Sequence, residues 1–238
     1  MELKDKTVLI TGGRRVGQVV AQELAGAGMK VVMTYLTDRA EVPAAYGAYP
    51  VNLSDEASLM ALTGSLAKDI GPVDALINMA SIFVPDGEVV TREHIEKIFS
   101  VNAFGNMQLS RWFAQQAQKN KLANAPVVSF IDWAVDHPYA AYDTYIASKA
   151  AIRHYLMALQ TSFAGTIRVV NIHPGMILEP PNFPAAEKEM IITNTPVQTI
   201  GTPEQAAKLV RTALELDYWV DNVHLAGGQQ WRHRLEKA

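Results

Sequence analysis

Tyr145 and Lys149 stand one helical turn apart, and Asp132 precedes the tyrosine by thirteen positions. A free tyrosine keeps its proton at neutral pH, its ordinary pKa being about 10. A lysine four residues on presents on the same helix face, and its charge draws that value down. The expectation is a phenol that gives or takes a proton near neutrality. Asp132 adds a second acid, because a carboxyl in a closed, partly apolar site is raised and holds its proton longer. Capping a helix, or accepting backbone N–H groups at a strand end, is the plain alternative for Asp132. Near the N-terminus, Thr11-Gly12-Gly13-Arg14-Arg15-Val16-Gly17 reads as a turn able to hold a pyrophosphate. Glycines bring backbone close to the phosphates, and the next helix offers them its N-terminus. A tight turn without a ligand is the alternative. Arg14 and Arg15 can pair with an extra phosphate, and the second strand ends Thr34-Tyr35-Leu36-Thr37, with no carboxylate for a free ribose diol. NADPH/NADP+ is the expected cofactor, while the nearby Asp38 keeps NADH open.

Positioning such groups needs alternating strands and helices. Thr7–Thr11, Lys30–Tyr35, Gly47–Leu53, Val73–Met79, Pro126–Trp133 and Arg168–His173 read as buried strands, with a late strand near Val223–Ala226. Helices are expected over 15–27, 55–69, 92–119 and 144–164, with a loop or single turn over 36–46. That alternation predicts an α/β, Rossmann-like, doubly wound parallel sheet in three αβα layers. The Pro-rich stretch 178–203, with a short helix around 185–192, follows a strand end and reads as a substrate lid or as a surface loop. The chain is expected to form one domain over 1–238.

These pieces together resemble the short-chain dehydrogenase/reductase family across nearly the whole chain. The matching residues are Thr11-Gly12-Gly13, Ala80-Ser81 after the fourth strand, Val101-Asn102, Tyr145-x-x-x-Lys149 and Pro174-Gly175 after the sixth strand. The resemblance implies catalytic roles for Tyr145, Lys149 and Asn102, with the lysine also on the nicotinamide ribose and the asparagine supporting a water-linked relay. It implies cofactor contacts from Thr11, Gly13, Arg14, Arg15 and Val16, from Tyr35, Leu36 and Thr37, and from Asn52 and Leu53. Further contacts would come from Ala80, Ser81, Lys149, Pro174, Gly175, Met176 and Ile177. Within the family the chain is similar to pteridine reductases and bacterial dihydromonapterin or dihydrofolate reductases. Arg15 sits two residues before Gly17, Phe83 follows Ala80-Ser81, and Asp132 replaces the usual serine. That likeness implies a pterin or folate substrate held by Arg15, Ser81, Phe83, Asp132 and Tyr145, and reduced to its tetrahydro form. Phe83 would sandwich the pterin against nicotinamide, although an ordinary wall residue is its plain alternative. A homotetramer or homodimer is implied through the helices around 92–119 and 144–164.

Composition narrows the field. With 238 residues, 49% hydrophobic, a substantial core is expected, and a net charge of −3 gives no electrostatic case for nucleic acid or anionic lipid. No apolar run has the length of a membrane span. The absence of cysteine fits a reducing cytoplasm, which is the expected location. His94, His154 and His224 have no spacing that suits a metal, so none is expected. Two rival readings stay open: a carbonyl or 3-oxoacyl reductase, and a catalytically idle NADPH-binding protein.

Overall fold

Aliphatic runs bounded by glycine turns or helix caps form seven strands in the computed structural model, which describes residues 1–37, 46–179 and 183–229. The strands are β1 (Thr7–Thr11), β2 (Lys30–Tyr35), β3 (Gly47–Pro50), β4 (Ala75–Asn78), β5 (Ala125–Phe130), β6 (Ile167–Pro174) and β7 (Asn222–Leu225). They pair in the order β3-β2-β1-β4-β5-β6-β7, all in parallel. Between and after them run α1 (Val16–Gly26), α2 (Glu56–Asp69), α3 (Arg92–Phe99), α4 (Asn106–Lys119), α5 (Asp143–Ser162), α6 (Ala185–Thr193) and α7 (Pro203–Glu215). This is the Rossmann-like αβα fold that the alternation predicts.

Strand periodicity splits the core in two. Val8, Ile10, Val128 and Val170 face one layer with Val20, Leu24 and Val210 of α1 and α7. Leu9, Leu76, Val127 and Val169 face the other, against Leu62 and Leu66 of α2, Phe113 of α4 and Leu156 of α5. Both faces are covered, as a parallel sheet requires. No helix among the described residues is long and apolar enough to cross a membrane.

Several boundaries depart from the sequence expectation, each for a local reason. β3 stops at Pro50 because Asn52 turns the chain, its Oδ1 accepting from the Ser54 amide (3.1 Å) and hydroxyl (2.7 Å). β4 begins after Val73, whose backbone N–H and C=O are both taken by the Gln116 side chain. β5 ends before Asp132, whose carboxylate caps a 3₁₀ turn, Trp133–Val135.

The expected helix over 92–119 is interrupted by a π-helical turn, Ser100–Gly105. Asn106 Nδ2 satisfies the carbonyls that this wider turn releases, those of Val101 (2.9 Å) and Asn102 (3.3 Å). Gly105 packs there so closely that a Cβ would strike the Leu53 carbonyl. The sequence reading also passed over α7. Asp38 and the rest of 38–45 lie outside the described residues, as do Pro180 and Pro181.

Candidate active site

The C-terminal ends of β1, β4, β5 and β6 meet along one sheet edge, and the strand order reverses between β1 and β4, where ligands of such folds bind. There, Thr11 Oγ1 accepts from the Met79 and Ala80 amides (3.1 and 3.2 Å), tying the ends of β1 and β4 together. Gly12 has φ 77°, and a Cβ on it would lie 2.6 Å from the Ala80 nitrogen. A Cβ on Gly17 would collide with the Gly12 carbonyl oxygen. Only glycine builds this turn. Arg15 completes it in the left-handed region, at φ 52°.

A cleft of about 450 Å³ opens from the turn. Gly13, Arg14, Arg15 and Val16 line one end, with Tyr35, Leu36 and Thr37 from the end of β2. Asn52, Leu53, Ala80 and Ser81 line the rest. A glycine cradle beside a helix N-terminus, with two arginines and no carboxylate among the described lining residues, fits a dinucleotide's phosphates. The Arg15 guanidinium donates to the Glu179 carbonyl, and Glu179 ion-pairs with Lys188 of α6. Pro174, Gly175, Met176 and Ile177 lie outside this cleft's lining, at and just beyond the end of β6.

Beside the cleft, α5 and the turn after β5 bring the two acids together. The Tyr145 hydroxyl donates to Asp132 Oδ2 at 3.0 Å, while Asp132 Oδ1 accepts from the Ala134 amide at 2.9 Å. The cap and the Tyr145 contact of Asp132 therefore coexist, one on each carboxylate oxygen. Burial raises the Asp132 carboxyl, opposed by the Ala134 and Tyr145 hydrogen bonds and by the charges of Lys149 and His173. Tyr145 corrects an expectation. Burial, then the charge of Asp132, holds its phenol well above the ordinary value instead of below it. Lys149 does not reach the phenol by hydrogen bond. Its Nζ donates to the Phe130 carbonyl at 2.9 Å and lies 5.8 Å from the Tyr145 ring centre. Burial lowers this lysine to about 8, against the opposing charge of Asp132.

Asn102 sits in the π-helical turn, 1% exposed. Its Oδ1 accepts from the Ile82 amide (2.7 Å) and the Ser81 hydroxyl (3.2 Å), and its Nδ2 donates to the Ile82 carbonyl (2.9 Å) and Ser148 Oγ (3.1 Å). It thus pins the loop after β4 to α5. That loop carries Phe83, whose ring stacks on Tyr142 (4.5 Å, 8°) and meets Tyr145 edge-on (4.8 Å, 81°). Tyr139 and Trp133 extend the aromatic wall.

The sequence reading missed two supports. Asp86 caps α5 through the Thr144 amide (2.9 Å) and binds His94 Nε2 (2.8 Å), fixing the same loop to the helix that carries Tyr145. His173 is fully buried behind Asp132 and stacks on His224 (4.6 Å, 23°). Asp86, eight residues before a histidine in a loop, offered a weak signal; His173, alone in a strand, offered none.

Comparison with known proteins agrees with this fold. The family model for short chain dehydrogenases matches residues 6–189. Galactitol 2-dehydrogenase of Agrobacterium fabrum is 25% identical over 262 residues, covering 97% of this chain and 99% of that protein. A 3-oxoacyl-acyl-carrier-protein reductase of Thermotoga maritima is 26% identical over 225 residues, covering 88% and 90%. A 3-ketoacyl-acyl-carrier-protein reductase from Brucella melitensis, solved in complex with NADH, superposes with a TM-score of 0.82 at 23% identity, over 96% of this chain and 99% of that one. The chain belongs to the short-chain dehydrogenase/reductase family of oxidoreductases.

Proposed function

We propose that the protein is an NADPH-dependent reductase of a dihydropterin, with Asp132 and Tyr145 delivering the proton that accompanies hydride transfer to a C=N bond. The 3.0 Å contact between the Tyr145 hydroxyl and Asp132 Oδ2 carries this reading. When bound, the reduced nicotinamide supplies the hydride, to C6 of the C6=N5 imine. Burial raises the Asp132 carboxyl, and in its protonated form it can turn the shared hydrogen bond around and donate to Tyr145 Oη. That frees the phenol proton to face N5 of the substrate. As it leaves, the Asp132 proton replaces it and the negative charge settles on the carboxylate, near Lys149. Asn102 holds Ser81 and Ile82 in place beside the reacting ring.

The walls support this substrate class. Phe83 and Tyr142, stacked on one another, form an aromatic wall next to Tyr145 that suits a flat heterocycle. Arg15 and Ser81 supply polar partners for its amide and amino groups. Residues 183–203 act as a lid, and Arg15 ties the phosphate turn to Glu179, which pairs with Lys188 of that lid. NADPH is preferred because Arg14 and Arg15 stand beside a β2 end without a described carboxylate. Association into a dimer or tetramer through the helical stretches 92–119 and 144–164 fits Phe104 and Met157, 52% and 40% exposed.

A second reading, reduction of a ketone or 3-oxoacyl thioester, is favoured by the names of the Thermotoga maritima and Brucella melitensis relatives. A panel of dihydrobiopterin, dihydromonapterin, dihydrofolate, small ketones and a 3-oxoacyl thioester, with NADPH and NADH, separates them. Turnover of a dihydropterin with NADPH is the expected result. Turnover of carbonyl compounds alone would replace the first reading by the second, and cofactor binding without turnover of anything would leave an idle binder.

A further inference from the structure

Behind the proton-delivering pair lies a second, fully internal network. His173 of β6 is 0% exposed, and its two ring nitrogens face Asp132 and Asn222. Nδ1 is 3.1 Å from the Asp132 backbone carbonyl, an atom that can only accept. Nε2 is 3.1 Å from Asn222 Oδ1, which also accepts from Arg153 Nε at 3.2 Å. Reversing the Asn222 amide would set its NH₂ against the arginine, donor facing donor, so the oxygen is fixed where it stands. Both histidine nitrogens must then donate, which takes two protons and gives the ring a positive charge.

We propose that His173 is a positioning residue for Asp132, a buried imidazolium that holds the Asp132 carbonyl through Nδ1 and is itself held by Asn222 through Nε2. The proposal rests on reading Asp132 and Tyr145 as the proton-delivering pair. With the carbonyl held from behind and Oδ1 held by the Ala134 amide, Oδ2 is left aimed at Tyr145. The surrounding charges accommodate a cation here. From the 3₁₀ turn, Asp136 lies 4.0 Å from Nδ1. Burial pushes its carboxyl up, but the hydrogen bond and charge of Arg153 outweigh that and keep it below the ordinary aspartate value. Arg153 and Lys149 face the network from α5, and His224 from β7, with His137 near His224. Burial, followed by the charge of His173, lowers His224, so the stacked rings carry one charge between them.

The ligand atoms of Asp136, His173 and His224 fall within 4.8 Å of one another, a spacing that suits a metal ion. Arg153 already pairs with Asp136 at 2.7 Å, and both His173 nitrogens point at acceptors, so the cluster holds protons instead.

Two spectroscopic measurements test the proposal without any substrate. Nitrogen-15 NMR of labelled histidine, assigned with His173→Asn, should show both His173 nitrogens protonated at neutral pH. Carbon-13 NMR of labelled aspartate should show the Asp132 carboxyl titrating at higher pH in His173→Leu than in wild type, because the nearby charge is gone. His173→Asn keeps a donor near the Nδ1 position and covers the case in which the leucine variant does not fold. Turnover then reads the positioning. His173→Leu should lower kcat about tenfold, the scale of one hydrogen bond to a charged group, with KM for NADPH unchanged, and His173→Asn should recover most of it. One unprotonated ring nitrogen, or an Asp132 titration indifferent to the substitutions, would overturn the proposal. A wild type inert towards every substrate would count against the proposed function, while the two NMR results still decide the fate of His173.

Discussion

Lys149→Met isolates what it costs the fold to carry a catalytic-motif cation. Lys149 is 4% exposed, and burial lowers it from the ordinary 10.5 to about 8. At about 1.4 kcal/mol per tenfold, holding that charge below pH 8 costs the folded state about 3 kcal/mol. Methionine fills nearly the same space without the charge. It also leaves the Phe130 carbonyl without the ammonium that now donates to it, a loss of about 1–3 kcal/mol. The variant should therefore be about 1 kcal/mol more stable than wild type at pH 7, while losing turnover. The sign reverses with pH. Because the folded-state value lies below the unfolded one, the unfolded chain binds more protons between about 8 and 10.5. Wild-type stability thus rises through that window relative to the variant. Urea denaturation at pH 7 and pH 10 should show the difference moving by about 2 kcal/mol in favour of wild type. A difference independent of pH, or a variant about 3 kcal/mol less stable at pH 7, would refute the reasoning.

Other residues give shorter tests. Asp86→Ala removes the cap of α5 and the His94 contact, and should destabilise by about 1–2 kcal/mol near neutral pH. Burial pushes Asp86 up, but its Thr144 and His94 partners outweigh that and hold it below the ordinary value. Its contribution is therefore present above about pH 4 and lost as pH falls through the lowered folded value, so variant and wild type should converge in acid denaturation. Gly17→Ala places a methyl against the Gly12 carbonyl, and should lower the melting temperature by several degrees and weaken NADPH binding at least tenfold by fluorescence titration. Phe83→Ala removes the ring beside Tyr145 and should raise KM for a dihydropterin about tenfold.

The parts legible in the sequence were those whose meaning is local. The glycine turn, Arg15 and the Tyr145-x-x-x-Lys149 spacing each fall within one strand, turn or helix. Asp132 and Tyr145 meet because the turn after β5 and the start of α5 lie side by side, which the parallel topology makes natural. Features that depend on a distant partner stayed hidden. The π-helical turn exists where Gly105 meets Leu53 and Asn106 reaches back to Val101, and its residues read as ordinary helix. Lys149 turned out to face the Phe130 carbonyl, because burial at the end of β5 decides its partner more than its place on α5. His173 acquires meaning only once Asp132 and Asn222 flank it. The helix α7 was readable after all: Thr202, Pro203 and Gln205 form a capping box with proline at the first helical position, masked by the prolines of the segment before it.

Joint protonation of a ring nitrogen by Asp132 and Tyr145 is decided by kcat/KM for a dihydropterin and for a ketone, each with NADPH, in wild type and Asp132→Ser. Wild type should favour the dihydropterin, and the serine variant should lose at least about a hundredfold on it. The small activity on ketones should fall much less. Equal losses on both substrates, or a serine variant that still reduces the dihydropterin at the wild-type rate, would contradict the account.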